Sequence, residues 1–194
     1  MSTTVWYFAY GSNLQTATLC GRRGIEVVRA LPVRVPGWRL VFDKPRLLAS
    51  TSSVANIVPE DSAAVIGVAF EIPADDHAHV ELTEGVAIGN YRRVEVGVEP
   101  LATLGSAHDR TSTRAAAGAA GADAAPATAL SLASERRDPG LRPSRRYMGL
   151  VLGGAIEQGL PEDWIAFLRS VETCEESEAE RALRPMLDAL FKRR

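Results

Sequence analysis

Cysteine is scarce in this chain: Cys20 and Cys174 are the two among 194 residues. Two thiols set so far apart form no disulfide framework, which excludes the small stapled secreted domains and leads us to expect a cytoplasmic setting. An excess of either charge is also missing. The net charge of -2 argues against a general affinity for nucleic acid or for an acidic membrane. No apolar run approaches the length that spans a bilayer. The apolar opening is too short for a signal peptide and has no basic flank. What remains is an ordinary globular composition, 46% hydrophobic and 24% charged, in a chain long enough to bury a sizeable core. A single domain over residues 1–194 is the expectation.

The stretch from Val5 to Leu14 organises the rest. Val5, Trp6, Tyr7, Phe8, Ala9 and Tyr10 form an apolar, aromatic run that reads as a buried strand. Gly11 breaks it. Ser12 follows, with Gln15 three residues on, the pattern of a capping box. A strand is therefore expected to pass through a glycine turn straight into a helix over Asn13–Cys20. Gly21 would stop that helix, and Arg22 and Arg23 would complement its end. Such a junction aims unpaired backbone N–H groups at one spot and, with the helix dipole, suits an anion or a developing oxyanion. Glycine at the turn lets a ligand come close. The same pattern also fits an ordinary strand-to-helix turn. Cys20 could be a thiol nucleophile, although a small buried apolar residue accounts for it better.

Further along, Ile25–Lys44 reads as two strands joined by a turn at Pro36-Gly37. Trp38, Leu40 and Phe42 alternate with Arg39, Val41 and Asp43, so one face looks inward. A loop follows, then a short strand Ser52–Val58 ended by Pro59. Ala63–Ile72 is apolar almost throughout, as a strand buried on both faces should be. Pro73 opens a helix to about Leu82, with Asp75 and Asp76 in its favoured first turn. His77 and His79 do not share a helix face at that spacing, so solvated polar residues explain them better than a metal pair. A helix end at Gly85 and a strand from about Tyr91 come next. Residues Ser106–Pro126 are alanine-rich and of low complexity, which predicts a mobile loop. Ala127–Ser134 resumes as a strand. Ser144 caps a helix to about Gln158, Pro161 opens another, and Glu175–Arg194 reads as a terminal helix that Pro185 should kink or split.

Tyr7-Phe8-Ala9-Tyr10-Gly11-Ser12-Asn13-Leu14 resembles the signature of the gamma-glutamylcyclotransferase family. Three more segments agree in family order. Ser52–Pro59 is similar to its small-residue strand beside the active site, with Ser52 and Ser53 where glycines are common and Asn56 where threonine is. Those departures bear on pocket shape and substrate identity. Glu84-Gly85-Val86 and Gly89-Asn90-Tyr91 match an acidic residue before Gly-Val and a Gly-x-Tyr. The helix pair around Gly159-Leu160-Pro161 matches too, with Tyr147 near its start.

The resemblance implies an α+β fold, a small closed mixed β-sheet of barrel-like form with surrounding helices. It implies an enzyme, a lyase or transferase, that releases 5-oxoproline from a gamma-glutamyl amino acid or amine. Glu84 takes the catalytic position, whereas Glu81 reads as a solvent-facing charge. Tyr7, Phe8, Ala9, Tyr10, Gly11, Ser12, Asn13 and Tyr147 are the implied substrate-binding residues, although Tyr147 also fits a half-buried structural tyrosine. No metal or organic cofactor is implied, and the partner is a small gamma-glutamyl molecule. Monomer and homodimer both stand open. So do removal of a gamma-glutamyl protecting group from a pathway intermediate and a binding module without catalysis.

The residue types suit that chemistry. The substrate's α-amine attacks its own γ-carbonyl and closes a five-membered ring, so the protein must hold one rotamer instead of gathering two molecules. A carboxylate can take the amine's proton and later give it to the leaving amine. A partly apolar pocket would make that carboxylate a better base. The oxyanion needs preorganised donors, for which the N–H groups of Gly11 and Ser12 are candidates, unless they hold the substrate α-carboxylate instead.

Overall fold

The computed structural model describes residues 3–47, 51–101 and 125–190. Its centre is a mixed six-stranded sheet curled into a half-barrel. The strands are β1 (Thr4–Ala9), β2 (Arg29–Pro45), β3 (Ser53–Pro73), β4 (Arg92–Gly97), β5 (Glu99–Pro100) and β6 (Thr128–Ala133). They lie in the order β4-β6-β1-β3-β2-β5. β1 runs antiparallel to β3, with Tyr7 opposite Phe70, and parallel to β6, with Tyr7 opposite Leu130. The aromatic run thus occupies a central strand, as its burial pattern demanded. Phe8, Val33, Val35, Val65, Val68 and Ile72 are fully buried inside the curl.

The four short strands expected over residues 25–72 are two long ones. β2 and β3 form a hairpin of 17 and 21 residues that runs through every proline read as a stop. Pro36-Gly37 is a bulge in β2, where the register shifts and Gly37 has φ 78°, and Pro59 pairs across it with Trp38. β5 covers the other side of β2 only at Val33 and Arg34. Most of β2 is therefore an edge, where a proline forfeits no ladder bond, and the bulge adds the bend that a curled sheet needs.

The helix expected directly after β1 is also different. Ser12–Leu14 is a single 3-10 turn, and Ala17–Arg22 is a π-helical turn that contains Gly21 instead of stopping there. No capping box forms at Ser12, and a turn of three residues has no dipole to speak of. The real box lies elsewhere: the Ser177 N–H donates to Glu180 Oε2 and the Glu180 N–H to Ser177 Oγ.

Four α-helices complete the described residues: α1 (Ala74–Thr83), α2 (Arg145–Glu157), α3 (Glu162–Ser170) and α4 (Glu178–Leu190). Ser144 Oγ accepts the Tyr147 N–H at the start of α2, the cap that the sequence promised. α2 then packs on the 3-10 turn so closely that a Cβ at Gly154 would lie 2.5 Å from the Gln15 nitrogen. α4 continues unbroken through Pro185. His77 is buried and not solvated, its ring edge-on to Tyr7 at 5.9 Å. Asp76 is buried as well and accepts the Glu26 N–H at 2.6 Å. Among the described residues, no helix is long and apolar enough to cross a membrane. The alanine-rich stretch, up to residue 124, lies outside the described residues.

Candidate active site

A cavity of about 190 Å³ opens between β1, the 3-10 turn, the end of α1, the start of β3, α2 and α4. Its size suits a small molecule better than a long peptide. All four tyrosines of the chain line it. They differ in what their hydroxyls do. Tyr10 Oη donates to the Leu132 carbonyl at 2.5 Å, and Tyr91 Oη donates to the Ala55 carbonyl at 2.8 Å. Those two protons are used by the scaffold. Tyr7 Oη accepts from Asn13 Nδ2 at 2.9 Å, and Tyr147 Oη accepts the Ala55 N–H at 3.1 Å. Those two keep a proton to give to a ligand. Burial pushes the Tyr147 hydroxyl up to about 12, against a smaller pull from the Ala55 and Ser12 N–H groups. Burial and then the charge of Glu84 raise Tyr7 still further. Both phenols therefore stay protonated donors at neutral pH.

Glu84 stands at the C-terminal end of α1, where Gly85 turns the chain out with φ 73°. Two donors hold its carboxylate, and both fall on Oε1. Arg23 Nη2 makes the ion pair, and Asn13 Nδ2 lies at 3.4 Å. Among the described residues, Oε2 has no protein donor. The groups that touch Glu84 are thus polar, in a cavity whose lining is partly apolar, with Val54, Leu132, Leu150 and Leu183 among its residues. Arg23 is the hub. It is 6% exposed, gives Nε to Asn13 Oδ1 at 3.0 Å, Nη1 to Thr83 Oγ1 and Nη2 to Glu84. The sequence offered Arg22 and Arg23 only as complements to a helix end. The π-helical turn rotates Arg23 inward, and such turns are common at functional sites.

Behind Glu84 a second layer fixes its backbone. Asn90 Nδ2 donates to the Glu84 carbonyl at 2.8 Å, and Lys44 Nζ donates to Asn90 Oδ1 at 2.8 Å. Lys44 is 1% exposed and sits 4.3 Å from the centre of the Tyr91 ring. Burial lowers its pKa from 10.5 to about 8.

Of the residues expected at the site, Tyr7, Tyr10, Gly11, Ser12, Asn13, Glu84 and Tyr147 line the cavity. Phe8 and Ala9 do not. Phe8 points from the opposite face of β1 into the core, and the Ala9 methyl is buried in the sheet. Gly11 is needed for contact: a Cβ there would meet Tyr147 Oη at 3.0 Å. No backbone acceptor among the described residues takes the Ser12 and Asn13 N–H groups. Glu81 is not solvent-facing. Arg93 grips both its oxygens, at 2.5 and 2.6 Å, and its side chain is 14% exposed. Cys20 lies outside the cavity lining, and burial followed by Glu157 pushes its thiol up.

The departures at Ser52, Ser53 and Asn56 have structural reasons. Asn56 is fully buried and clamps the Ser134 N–H and carbonyl at 2.8 Å each. Ser53 Oγ donates to the Phe42 carbonyl. Ser52 Oγ donates to Glu180 Oε1 at 2.6 Å and so fastens α4, which sequence reasoning left away from the site, across the cavity.

The chain matches the model of the AIG2-like family over residues 64–168. It is 30% identical over 183 residues to gamma-glutamyl cyclotransferase aclK of Aspergillus oryzae, covering 88% of this chain and 62% of that protein. It is 30% identical over 109 residues to gamma-glutamyl cyclotransferase gliK of Aspergillus fumigatus, covering 47% of this chain and 39% of that protein. The chain thus spans less than two thirds of the length of these curated relatives. A solved structure named gamma-glutamyl cyclotransferase superimposes with a TM-score of 0.69 at 21% identity, over 95% of this chain and 99% of that one. At that identity the likeness shows the fold.

Proposed function

The chain belongs to the AIG2-like family, and on that premise we propose that it releases 5-oxoproline from a gamma-glutamyl compound by internal cyclisation. The observation that carries this reading is Glu84 held on one oxygen only, in the lining of a small cavity with two proton-bearing tyrosines. The substrate ammonium meets Glu84 Oε2, which takes a proton and frees the amine. The amine attacks the γ-carbonyl, and the C–N bond of the new ring forms as the carbonyl electrons move onto oxygen. Tyr147 and Tyr7 donate to that oxyanion from positions set before the reaction starts. The Asn13 N–H group holds the substrate α-carboxylate, since the phenols cover the oxyanion and the Ser12 N–H is given to Tyr147. As the oxyanion collapses, the old C–N bond breaks and Glu84 returns its proton to the leaving amine; the freed carboxylate then takes the second proton of the ring nitrogen, which leaves with the amine as its ammonium.

The chain's own residues supply each of these proton movements. The gain over the reaction in water comes from a fixed rotamer and from donors that need no reorganisation. A thiol mechanism through Cys20 has no support, since that side chain is outside the cavity, and burial and then Glu157 push its thiol up, away from the thiolate. The test is incubation of the purified protein with a panel of gamma-glutamyl amino acids, gamma-glutamyl amines and glutathione. Mass spectrometry should find 5-oxoproline and the free amine from at least one of them. Binding without any product would leave only a binding module on this scaffold.

A further inference from the structure

The end of β2 brings to the cavity a positive charge that the reaction above does not use. Arg46 follows Pro45, the last residue of β2, and lines the cavity. Its Nη1 is buried and has no hydrogen-bond partner. A guanidinium nitrogen left unpaired away from water is costly, so a partner supplied by a ligand is the natural explanation. The two carboxylates that line the cavity are engaged elsewhere. Glu84 holds Arg23, and Glu180 accepts from Ser52 Oγ and the Ser177 N–H. Two of the other guanidinium groups that line the cavity have their own anions: Arg23 pairs with Glu84 and Arg184 with Glu176.

The position of Arg46 along the substrate follows from its neighbours. Its charge acts on the Tyr147 hydroxyl, which the proposed reaction places at the γ-carbonyl. The α-amine end belongs to Glu84, whose cation is Arg23. A cation beside Tyr147 therefore faces the group that hangs from the γ-carbonyl on its other side, the part that leaves. We propose that Arg46 binds the carboxylate of the departing amino acid, so that the substrates are gamma-glutamyl amino acids and not gamma-glutamyl amines. This rests on the cyclotransferase reading of the site. Arginine is the fitting residue, since its planar fork matches a carboxylate with two parallel hydrogen bonds.

Gamma-glutamylalanine and gamma-glutamylethylamide make a matched pair, because they differ only by that carboxylate. The wild-type protein should favour the alanine compound about 10- to 100-fold in kcat/KM, the usual size of a charge-assisted hydrogen bond. Arg46→Met should bring the ratio close to one, mainly through a higher KM for the alanine compound. Arg46→Lys should keep part of the preference, since lysine offers a point charge without the fork. An equal loss on both compounds, or an unchanged ratio, would overturn the assignment. Calorimetric titration of both compounds into the folded Glu84→Gln protein, with and without Arg46→Met, reads the same preference without turnover. If the wild type releases 5-oxoproline from neither compound and from no other member of the panel, glutathione included, the cyclotransferase reading fails. Arg46 would still stand as a carboxylate site if the titration shows the alanine compound binding tighter and Arg46→Met removes the difference. No difference in the titration would overturn it.

Discussion

Two glutamates three residues apart on and just past α1 live in opposite circumstances. Glu81 spends both carboxylate oxygens on Arg93, a residue whose side chain is 55% exposed. That hydrogen bonding is the first reason its pKa is lowered. Glu84 spends one oxygen on Arg23, which is nearly buried, and leaves the other to the cavity. Neither charge nor burial separates a structural carboxylate from a working one here, since both side chains are mostly covered. The difference is the oxygen left over and the space it faces.

The sharpest way to break this comparison is to neutralise each carboxylate in turn. Glu84→Gln keeps the size and hydrogen bonding but carries no proton, so turnover should fall by about 10² to 10⁴. Glu81→Gln should stay within a few-fold of the wild type. Initial rates of 5-oxoproline release decide it, and a collapse in Glu81→Gln alone would move the base to the other glutamate.

The partners should differ as much as the glutamates do. Arg23→Met strands Glu84 and Asn13 in a buried setting and should cost about 3–5 kcal/mol of stability, along with activity. Arg93→Met removes an exposed partner and should cost about 1 kcal/mol or less. Urea midpoints of the two variants measure this, and equal midpoints would contradict it.

The tyrosines extend the contrast. Tyr147→Phe removes a donor aimed at the cavity, so turnover should drop by about 100-fold, in line with loss of one oxyanion donor. It also leaves the Ala55 N–H without an acceptor, which should cost about 1 kcal/mol or slightly more. Tyr10→Phe should disturb stability more than rate, because its hydroxyl proton is bonded to the Leu132 carbonyl. Rates and melting temperatures of the two variants, compared side by side, test the division.

The smallest effect lies beneath the Glu84 backbone. Lys44 has a folded pKa of about 8 against 10.5 unfolded. Between those values the unfolded chain binds the extra proton, so stability should rise with pH from about 8 upward. Above about 10 the buried tyrosines reverse the trend, because they ionise more readily when unfolded. The useful window is therefore about pH 8 to 9.5, and the gain across it about 1–2 kcal/mol. Lys44→Met should flatten that slope in urea titrations. An identical slope in the variant would mean that Lys44 is not the group responsible.

Much of the site was legible because it rests on local features. The aromatic run, the break at Gly11, the glutamate before a turning glycine and the serine cap that orients Tyr147 each sit within a few residues of their cause. Strand alternation could have removed Phe8, since it must face away from Tyr7. The rest depends on contacts far apart in sequence. Arg23 is turned inward by a π-helical turn that no side-chain pattern announced. Pro36 and Pro59 looked like stops because proline in a strand is tolerated only where an edge or a bulge awaits it, and both are tertiary facts. Lys44 and Asn90 matter only because a hairpin end and the loop after α1 meet. α4 reaches the cavity through Ser52 and Glu180, which are 128 residues apart.

The most direct test of the central claim is product identity in ¹⁸O-enriched water, using the wild-type protein and a gamma-glutamyl amino acid. Internal attack predicts 5-oxoproline without ¹⁸O and one equivalent of the free amino acid. Glutamate carrying ¹⁸O in its γ-carboxylate would show that water attacks instead, and would contradict the account of Glu84 as the base that frees the substrate's own amine.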